Sequence, residues 1–290
     1  MTTQARPRIA IAGATGAVGS LLTFLMAADA VELVALTRDP AKASFPVGVE
    51  AAQVDFARPE TLAAALQGVQ RLFLAQGGSA DQAANEIALI DAAVNAGVEH
   101  IVKLSAFGPA SSLYPGHHHL RIETHLARQP VAYTLLRPSG FANLLRVFAP
   151  HIAAGSWGGA IGDGRVNYID LRDIAESARV ALLAPVLPGA KRAYHLTGPR
   201  SWSIPELQAE LSRRLDRPVA YHPRTEDEQR DYLLSKGLPP ARVQVLQDLD
   251  RQFRDSAISE TTLTVQELTG HPPRPVTDWL GENIAMFKAA

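Results

Sequence analysis

The run Arg8-Ile9-Ala10-Ile11-Ala12-Gly13-Ala14-Thr15-Gly16-Ala17-Val18-Gly19 decides the fold. Its apolar opening reads as a short strand buried on both faces, and it passes straight into three glycines spaced three apart. Residues 18–28 then carry apolar side chains at helical spacing. Strand, glycine loop and helix in that order make a turn that can hold phosphate. Gly13 permits the tight bend, Gly16 lets backbone approach a diphosphate with no Cβ in the way, and Gly19 lets the helix pack closely. The candidate seat is therefore Gly13, Thr15, Gly16, Ala17, Val18 and Gly19, at the positive end of a helix dipole.

Working outward, the same rhythm continues to about residue 137. Short apolar runs at 9–12, 32–37, 52–54, 71–75, 100–104 and 133–136 alternate with helical patterns at 18–28, 59–66, 80–96, 117–127 and 140–152. Such alternation generates βαβ units, so the expected class is α/β, a Rossmann-type doubly wound parallel sheet. After residue 150 the texture changes to Pro- and Gly-punctuated shorter elements. The expected division is a Rossmann domain over 1–150 and a smaller α+β substrate lobe over 151–290, packed on the first and partly interleaved with it. Ser203-Ile204-Pro205-Glu206 is a helix start with a capping box.

The end of the second strand, Leu36-Thr37-Arg38-Asp39, chooses between nicotinamide dinucleotides. An acid there would take the ribose 2′-hydroxyl, whereas Arg38 suits a 2′-phosphate, so NADP(H) is favoured. Asp39, one position later, is the competing choice. Gln76 and Gly77 follow the fourth strand and are candidates for the cofactor's ribose and nicotinamide, with a plain loop as the alternative.

Composition narrows the remaining classes. Lys plus Arg (28) balances Asp plus Glu (29), which gives no field to attract nucleic acid or an anionic membrane. Zero cysteines exclude disulfides, thiolate nucleophiles and Cys-ligated metals. No apolar run approaches membrane-spanning length, and no signal-like segment opens the chain, so a cytoplasmic protein, monomer or homodimer, with a small-molecule substrate is expected.

With these segments in order the chain resembles the NmrA-like group of atypical short-chain dehydrogenases. The stretches that carry the resemblance are the glycine loop, in the GxxGxxG spacing of that class, Val102-Lys103-Leu104-Ser105-Ala106-Phe107-Gly108, His119-Leu120-Arg121-Ile122-Glu123, and Tyr133-Thr134-Leu135-Leu136-Arg137-Pro138-Ser139-Gly140-Phe141-Ala142-Asn143. Tyr168-Ile169-Asp170-Leu171-Arg172-Asp173 and Tyr194-His195-Leu196-Thr197-Gly198-Pro199 follow later. The resemblance implies NADPH-dependent reduction of a quinone, enone or aryl ketone. Two other readings stay open: a non-catalytic NADP(H) sensor and a cofactor-retaining isomerase or epimerase. It also implies that Asp55-Phe56 borders the adenine.

The reaction is less legible than the cofactor. Short-chain dehydrogenases use a Ser and a Tyr-x-x-x-Lys, in which the lysine lowers the tyrosine's pKa. Ser105 stands where that serine is required, but the Tyr-Lys pair is missing: His119, four residues before Glu123, stands at the lysine position, Pro115 stands at the tyrosine position, and Tyr114 is one residue out of place. Either Tyr114 or His119 donates a proton while Ser105 polarises a carbonyl, or the protein only aligns the substrate and water supplies the proton. Adjacent histidines on a helix point about 100° apart, so His117-His118-His119 is not expected to chelate a metal. Pro138 is expected beside the nicotinamide, with Phe141 and Asn143 as wall and polar contact and His118, Phe107, Trp157 and Tyr168 as further substrate surface. The five glycines of 155–164 suggest a mobile lid.

Overall fold

A computed structural model describes residues 6–107 and 116–288. Tyr114 therefore lies outside the described residues. In chain order the strands are β1 Arg8–Ala12, β2 Glu32–Thr37, β3 Glu50–Gln53, β4 Arg71–Leu74, β5 His100–Leu104, β6 Ala132–Pro138, β7 Gly140–Phe141, β8 Ser156–Gly159, β9 Arg165–Ile169, β10 Lys191–Leu196, β11 Ser201–Ser203 and β12 Ala220–Pro223. The helices are α1 Ala17–Met26, α2 Pro59–Ala65, α3 Gln82–Asn95, α4 Gly116–Ala127, α5 Ala149–Ala153, α6 Leu171–Leu183, α7 Ile204–Leu215, α8 Glu226–Ser235, α9 Pro240–Arg254, α10 Thr264–Thr269 and α11 Val276–Glu282.

The chain forms two compact units. The first comprises Met1–Ala106, His118–Arg137 and Leu171–His195; the second comprises Phe107–His117, Pro138–Asp170 and Leu196–Ala290. A single cut at residue 150 does not describe this division. The chain leaves the first unit after β5, returns for α4 and β6, and returns again for α6 and β10.

In the first unit seven strands lie in the order β10-β6-β5-β4-β1-β2-β3, and the pairings from β3 through β6 are parallel. Ile9, Ala10 and Ile11 of the central β1 are fully buried, as doubly covered strands require. Double burial fails at the edge: β3 leaves Glu50, Ala51 and Gln53 exposed because it has one neighbour. The opposite edge strand, β10, is Lys-Arg-Ala-Tyr-His-Leu, too polar to announce itself as part of this sheet. Helix α6 is tied to the end of α1 by an Arg179 to Asp29 ion pair.

The second unit holds a three-stranded sheet, β11-β9-β7, and the β12-β8 pair around Trp157, Tyr168, Trp202, Leu207, Leu280 and Phe287. Ser203 and Glu206 form the expected capping box, each accepting from the other's backbone N–H at 3.4 and 2.8 Å. The helix expected over 140–152 is instead β7, a 3₁₀ segment Ala142–Phe148 and the short α5. Gly140 explains the change: a Cβ there would come within 3.0 Å of Val166 and 3.3 Å of the Asn167 carbonyl, so the backbone lies flush in the ladder beside β9.

The glycine run 155–164 is also not a lid. Residues Ser156–Gly159 pair in parallel with β12, and a Cβ at Gly158 or Gly164 would stand 2.5 Å from the His222 carbonyl or 2.0 Å from that of Phe253. These glycines serve close backbone approach rather than mobility.

Candidate active site

At the carboxyl edge of the first unit's sheet lies a cavity of about 690 Å³. Gly13, Thr15, Gly16, Arg38, Phe56, Gln76 and Gly77 all line it, so seven of the twelve sequence-predicted cofactor residues share one space. Gly13 has φ +78°, and a Cβ there would stand 2.5 Å from the Ala75 carbonyl. Gly16 donates to the Gly13 carbonyl at 2.8 Å and caps α1, whose first intrahelical bond runs from Ser20 to Gly16. The N–H groups of Ala17, Val18 and Gly19 thus stand at the helix mouth, where an anion is favoured. Ala17, Val18 and Gly19 do not line the cavity themselves. Gly19 fixes the helix instead: its Cα faces the Gly13 backbone so closely that a Cβ would be 2.1 Å from that carbonyl oxygen.

Arg38 and Asp39 both stand at the rim beside β2. Asp39 is engaged by Lys42 at 2.9 Å, and Arg38 is exposed at the cavity with its carbonyl accepting from Gln53 Nε2 at 3.2 Å. Two cations and one already paired acid suit a phosphate better than a ribose hydroxyl. Lys42 was missed because it lies on a short turn after Pro40, outside any motif. Asp55 was expected beside the adenine but is spent on the start of α2: it accepts from Arg58 Nε at 2.9 Å and from the Ala57 N–H at 3.0 Å, and Arg58 holds its carboxyl below the usual carboxylate range. Phe56 alone of that pair faces the cavity.

Gln76, after β4, has its Oε1 buried against the cavity with no hydrogen-bond partner among the described residues. A buried acceptor of this kind calls for a donor from a ligand. An NADP-type dinucleotide fits these residues: glycines leave room for a diphosphate, cations stand at the 2′ end, and an open acceptor stands at the other.

The register Leu74↔Lys103 brings Gln76 and Ser105 to the same edge of the sheet. Ser105 is 5% exposed, with its N–H bonded to the Leu136 carbonyl at 2.7 Å. Its hydroxyl donates to Glu123 Oε1 at 2.5 Å. Arg137 grips the same carboxylate with both arms, Nε to Oε1 at 3.0 Å and Nη2 to Oε2 at 2.6 Å, and this raises the Arg137 pKa. A serine has one proton, and here it goes to a carboxylate, so Ser105 in this arrangement does not polarise a substrate carbonyl.

Behind this edge Lys103 and Glu86 form a fully buried ion pair at 2.8 Å, supported by Gln82 donating to Glu86 at 3.1 Å. It locks α3, whose Asn85 lines the cavity together with the N-cap residue Asp81, onto β5.

The second unit sorts its expected substrate residues by burial. Trp157 and Tyr168 are 3% and 4% exposed inside the core, and burial pushes the Tyr168 phenol above its usual range, so both pack the interior instead of presenting a surface. Phe107 joins that cluster with its N–H on the Pro138 carbonyl, and Pro138 is itself buried. Phe141 and Asn143 remain partly exposed, and Asn143 Oδ1 has no hydrogen-bond partner among the described residues. His118 and His119 stand half-buried at the start of α4.

A cleft built for a phosphorylated dinucleotide on a doubly wound sheet defines a nucleotide-dependent α/β oxidoreductase. The comparisons agree. The NAD(P)H-binding family matches residues 13–147. The NAD(P)H azoreductase of Xenophilus azovorans is 32% identical over 97% of this chain and 100% of its own. A (4-alkanoyl-5-oxo-2,5-dihydrofuran-3-yl)methyl phosphate reductase of Streptomyces griseus is 34% identical over 96% and 99%. The structure of an Escherichia coli NADPH-dependent quinone oxidoreductase complexed with NADPH superimposes with TM-score 0.86 and 29% identity, covering 95% of this chain and 99% of that one. The chain belongs to the NmrA-like family of NADPH-dependent reductases, and its cofactor is NADP(H). Among the described residues no helix is long and apolar enough to cross a membrane.

Proposed function

We propose that this reductase passes hydride from NADPH to small quinone-like acceptors, and that it does so without a protein proton donor. The cofactor lies with its diphosphate on the loop Gly13 to Gly19, its 2′-phosphate against Arg38 and Lys42, and its nicotinamide end toward Gln76. When bound, NADPH supplies the hydride; the chain binds, orients and shields the pair. The relatives' names, which cover azo, quinone and unsaturated-lactone reduction, support acceptors that are electron-poor and conjugated.

One observation carries the choice of quinones over ketones. The serine that would polarise a ketone has its proton on Glu123, and the chain has no Tyr-x-x-x-Lys in register with Ser105. A ketone becomes a strongly basic alkoxide on reduction and needs an acid at hand, whereas a reduced quinone oxygen is a weakly basic phenolate that needs no acid during hydride transfer and exchanges its proton with solvent afterwards. General acid catalysis is worth roughly 10²–10⁴ in rate, so its absence should separate the two classes by about that factor. NADPH consumption measured with a matched panel of quinones and aryl ketones tests this. A preference for the ketones would overturn it.

A further inference from the structure

Deepening that reading, and resting on it, we propose that Ser105 is a hydrogen-bond acceptor toward the bound reactants and that Glu123 is the positioning residue that makes it one. The geometry leaves the hydroxyl little choice. Arg137 holds the Glu123 carboxylate at two points, 3.0 and 2.6 Å, so the carboxylate cannot swing away, and Oε1 stands 2.5 Å from Ser105 Oγ. A hydroxyl offers one donor and two lone pairs. With its hydrogen directed at Oε1, only lone pairs remain for a ligand at the carboxyl edge of β5. The backbone is equally fixed, because the Ser105 N–H is tied to Leu136 and α4 carries Glu123 on a helix whose Ile122 and Leu126 are fully buried.

The polarity of the serine is thereby reversed from the short-chain pattern, and the ligand it takes must bring an O–H or N–H. Two sources share that chemistry: the ribose hydroxyl or carboxamide of NADPH, and a hydroxyl carried by the quinone. Gln76 Oε1, the open acceptor at the same edge, points to the same class of partner. Arg137 acts only through Glu123, and Glu123 only through Ser105.

The test uses the full chain and two variants, Ser105→Ala and Glu123→Gln, each checked for an unchanged melting profile. NADPH affinity is read by fluorescence titration, and kcat/KM is compared for 1,4-naphthoquinone and 2-(hydroxymethyl)-1,4-naphthoquinone, whose alcohol keeps its O–H at neutral pH, at saturating NADPH. Loss of one neutral hydrogen bond corresponds to roughly three- to tenfold. If the donor belongs to the cofactor, both variants bind NADPH weaker by about that factor and the preference for the hydroxymethyl quinone stays put. If it belongs to the substrate, the preference falls by about that factor and NADPH affinity stays put. The proposal is overturned if Ser105→Ala changes neither readout, or if it slows the parent quinone while Glu123→Gln speeds it, the signature of a serine donor. Should Glu123→Gln fail to fold, Ser105→Ala decides alone, since it leaves the Glu123 to Arg137 pair intact. A wild-type chain that binds no NADPH would instead sink the reading beneath the proposal.

Discussion

Replacing Gly19 by alanine adds one methyl group at the point where helix α1 touches the loop before it. That methyl would stand 2.1 Å from the Gly13 carbonyl oxygen, 2.7 Å from its carbon and 3.2 Å from Ala14 Cα. Ordinary contact begins near 3.4 Å, so the helix and loop must part by about 1.3 Å. All three opposing atoms are backbone, and no side chain can turn aside to make room. Overpacking of this kind costs roughly 1–3 kcal/mol, and the helix-propensity gain of alanine over glycine returns about 1 kcal/mol. The expected net is a modest loss of stability, up to about 2 kcal/mol by urea unfolding. The larger effect falls on binding, because the displaced loop carries the phosphate seat. NADPH affinity should drop at least tenfold, which corresponds to about 1.4 kcal/mol. Gly77→Ala is the control: its added methyl meets nothing within 4 Å, so stability should be unchanged. If Gly19→Ala unfolds and titrates like the wild type, the close contact and its role in shaping the loop are refuted.

Other perturbations probe separate parts of the molecule. Arg38→Glu removes one of two cations at the 2′ end and adds a repelling charge, so the ratio of NADPH to NADH affinity should fall by roughly 10- to 100-fold in paired titrations; an unchanged ratio would remove Arg38 from the site. Glu86→Ala leaves the Lys103 ammonium buried and unpaired and should cost about 3–5 kcal/mol in urea unfolding, whereas the double replacement Glu86→Leu with Lys103→Met should lie much closer to wild type. A double variant as unstable as the single one would contradict this account of the pair. His100, buried and hydrogen-bonded to Thr134 at 3.0 Å, is pushed by burial down to about 4, so it stays neutral in the fold while the unfolded chain takes up a proton near its ordinary value of 6.5. Its contribution is present above that value and is lost as pH falls from 6.5 toward 4, by up to roughly 3 kcal/mol. His100→Asn should flatten the acid limb of the stability profile, and an unaltered limb would show that other groups produce it.

The parts of the fold that could be read in the sequence were those where one physical demand acts alone. Ile9, Ala10 and Ile11 are buried on both faces and therefore uniformly apolar, and the turn at Gly13 needs a positive φ. Strand β10 escaped notice because an edge strand that keeps Lys191, Arg192 and Ala193 in solvent carries no such signature. Glycine was ambiguous in the second unit. The run at Gly158 and Gly164 has the composition of a flexible loop, yet each residue is there because another backbone passes against it, a fact set by partners more than fifty positions away.

The site divides the same way. A phosphate loop is local in the chain, so its candidate residues stand together in the sequence. The Ser105, Glu123 and Arg137 arrangement joins two strand ends and a helix, and no local motif links the three in the sequence. Trp157 and Tyr168 were aromatic candidates for a flat substrate, but aromatic residues serve cores as readily as pockets, and composition does not distinguish the two uses.

The central claim is that the loop from Gly13 to Gly19, with Arg38 and Lys42 at its far rim, seats NADPH. Calorimetric titration of the purified full chain with NADPH and, separately, with NADH addresses it most directly. Saturable one-site binding of NADPH, tighter than that of NADH, is the expected result. A flat thermogram for both nucleotides up to millimolar concentration would contradict the account.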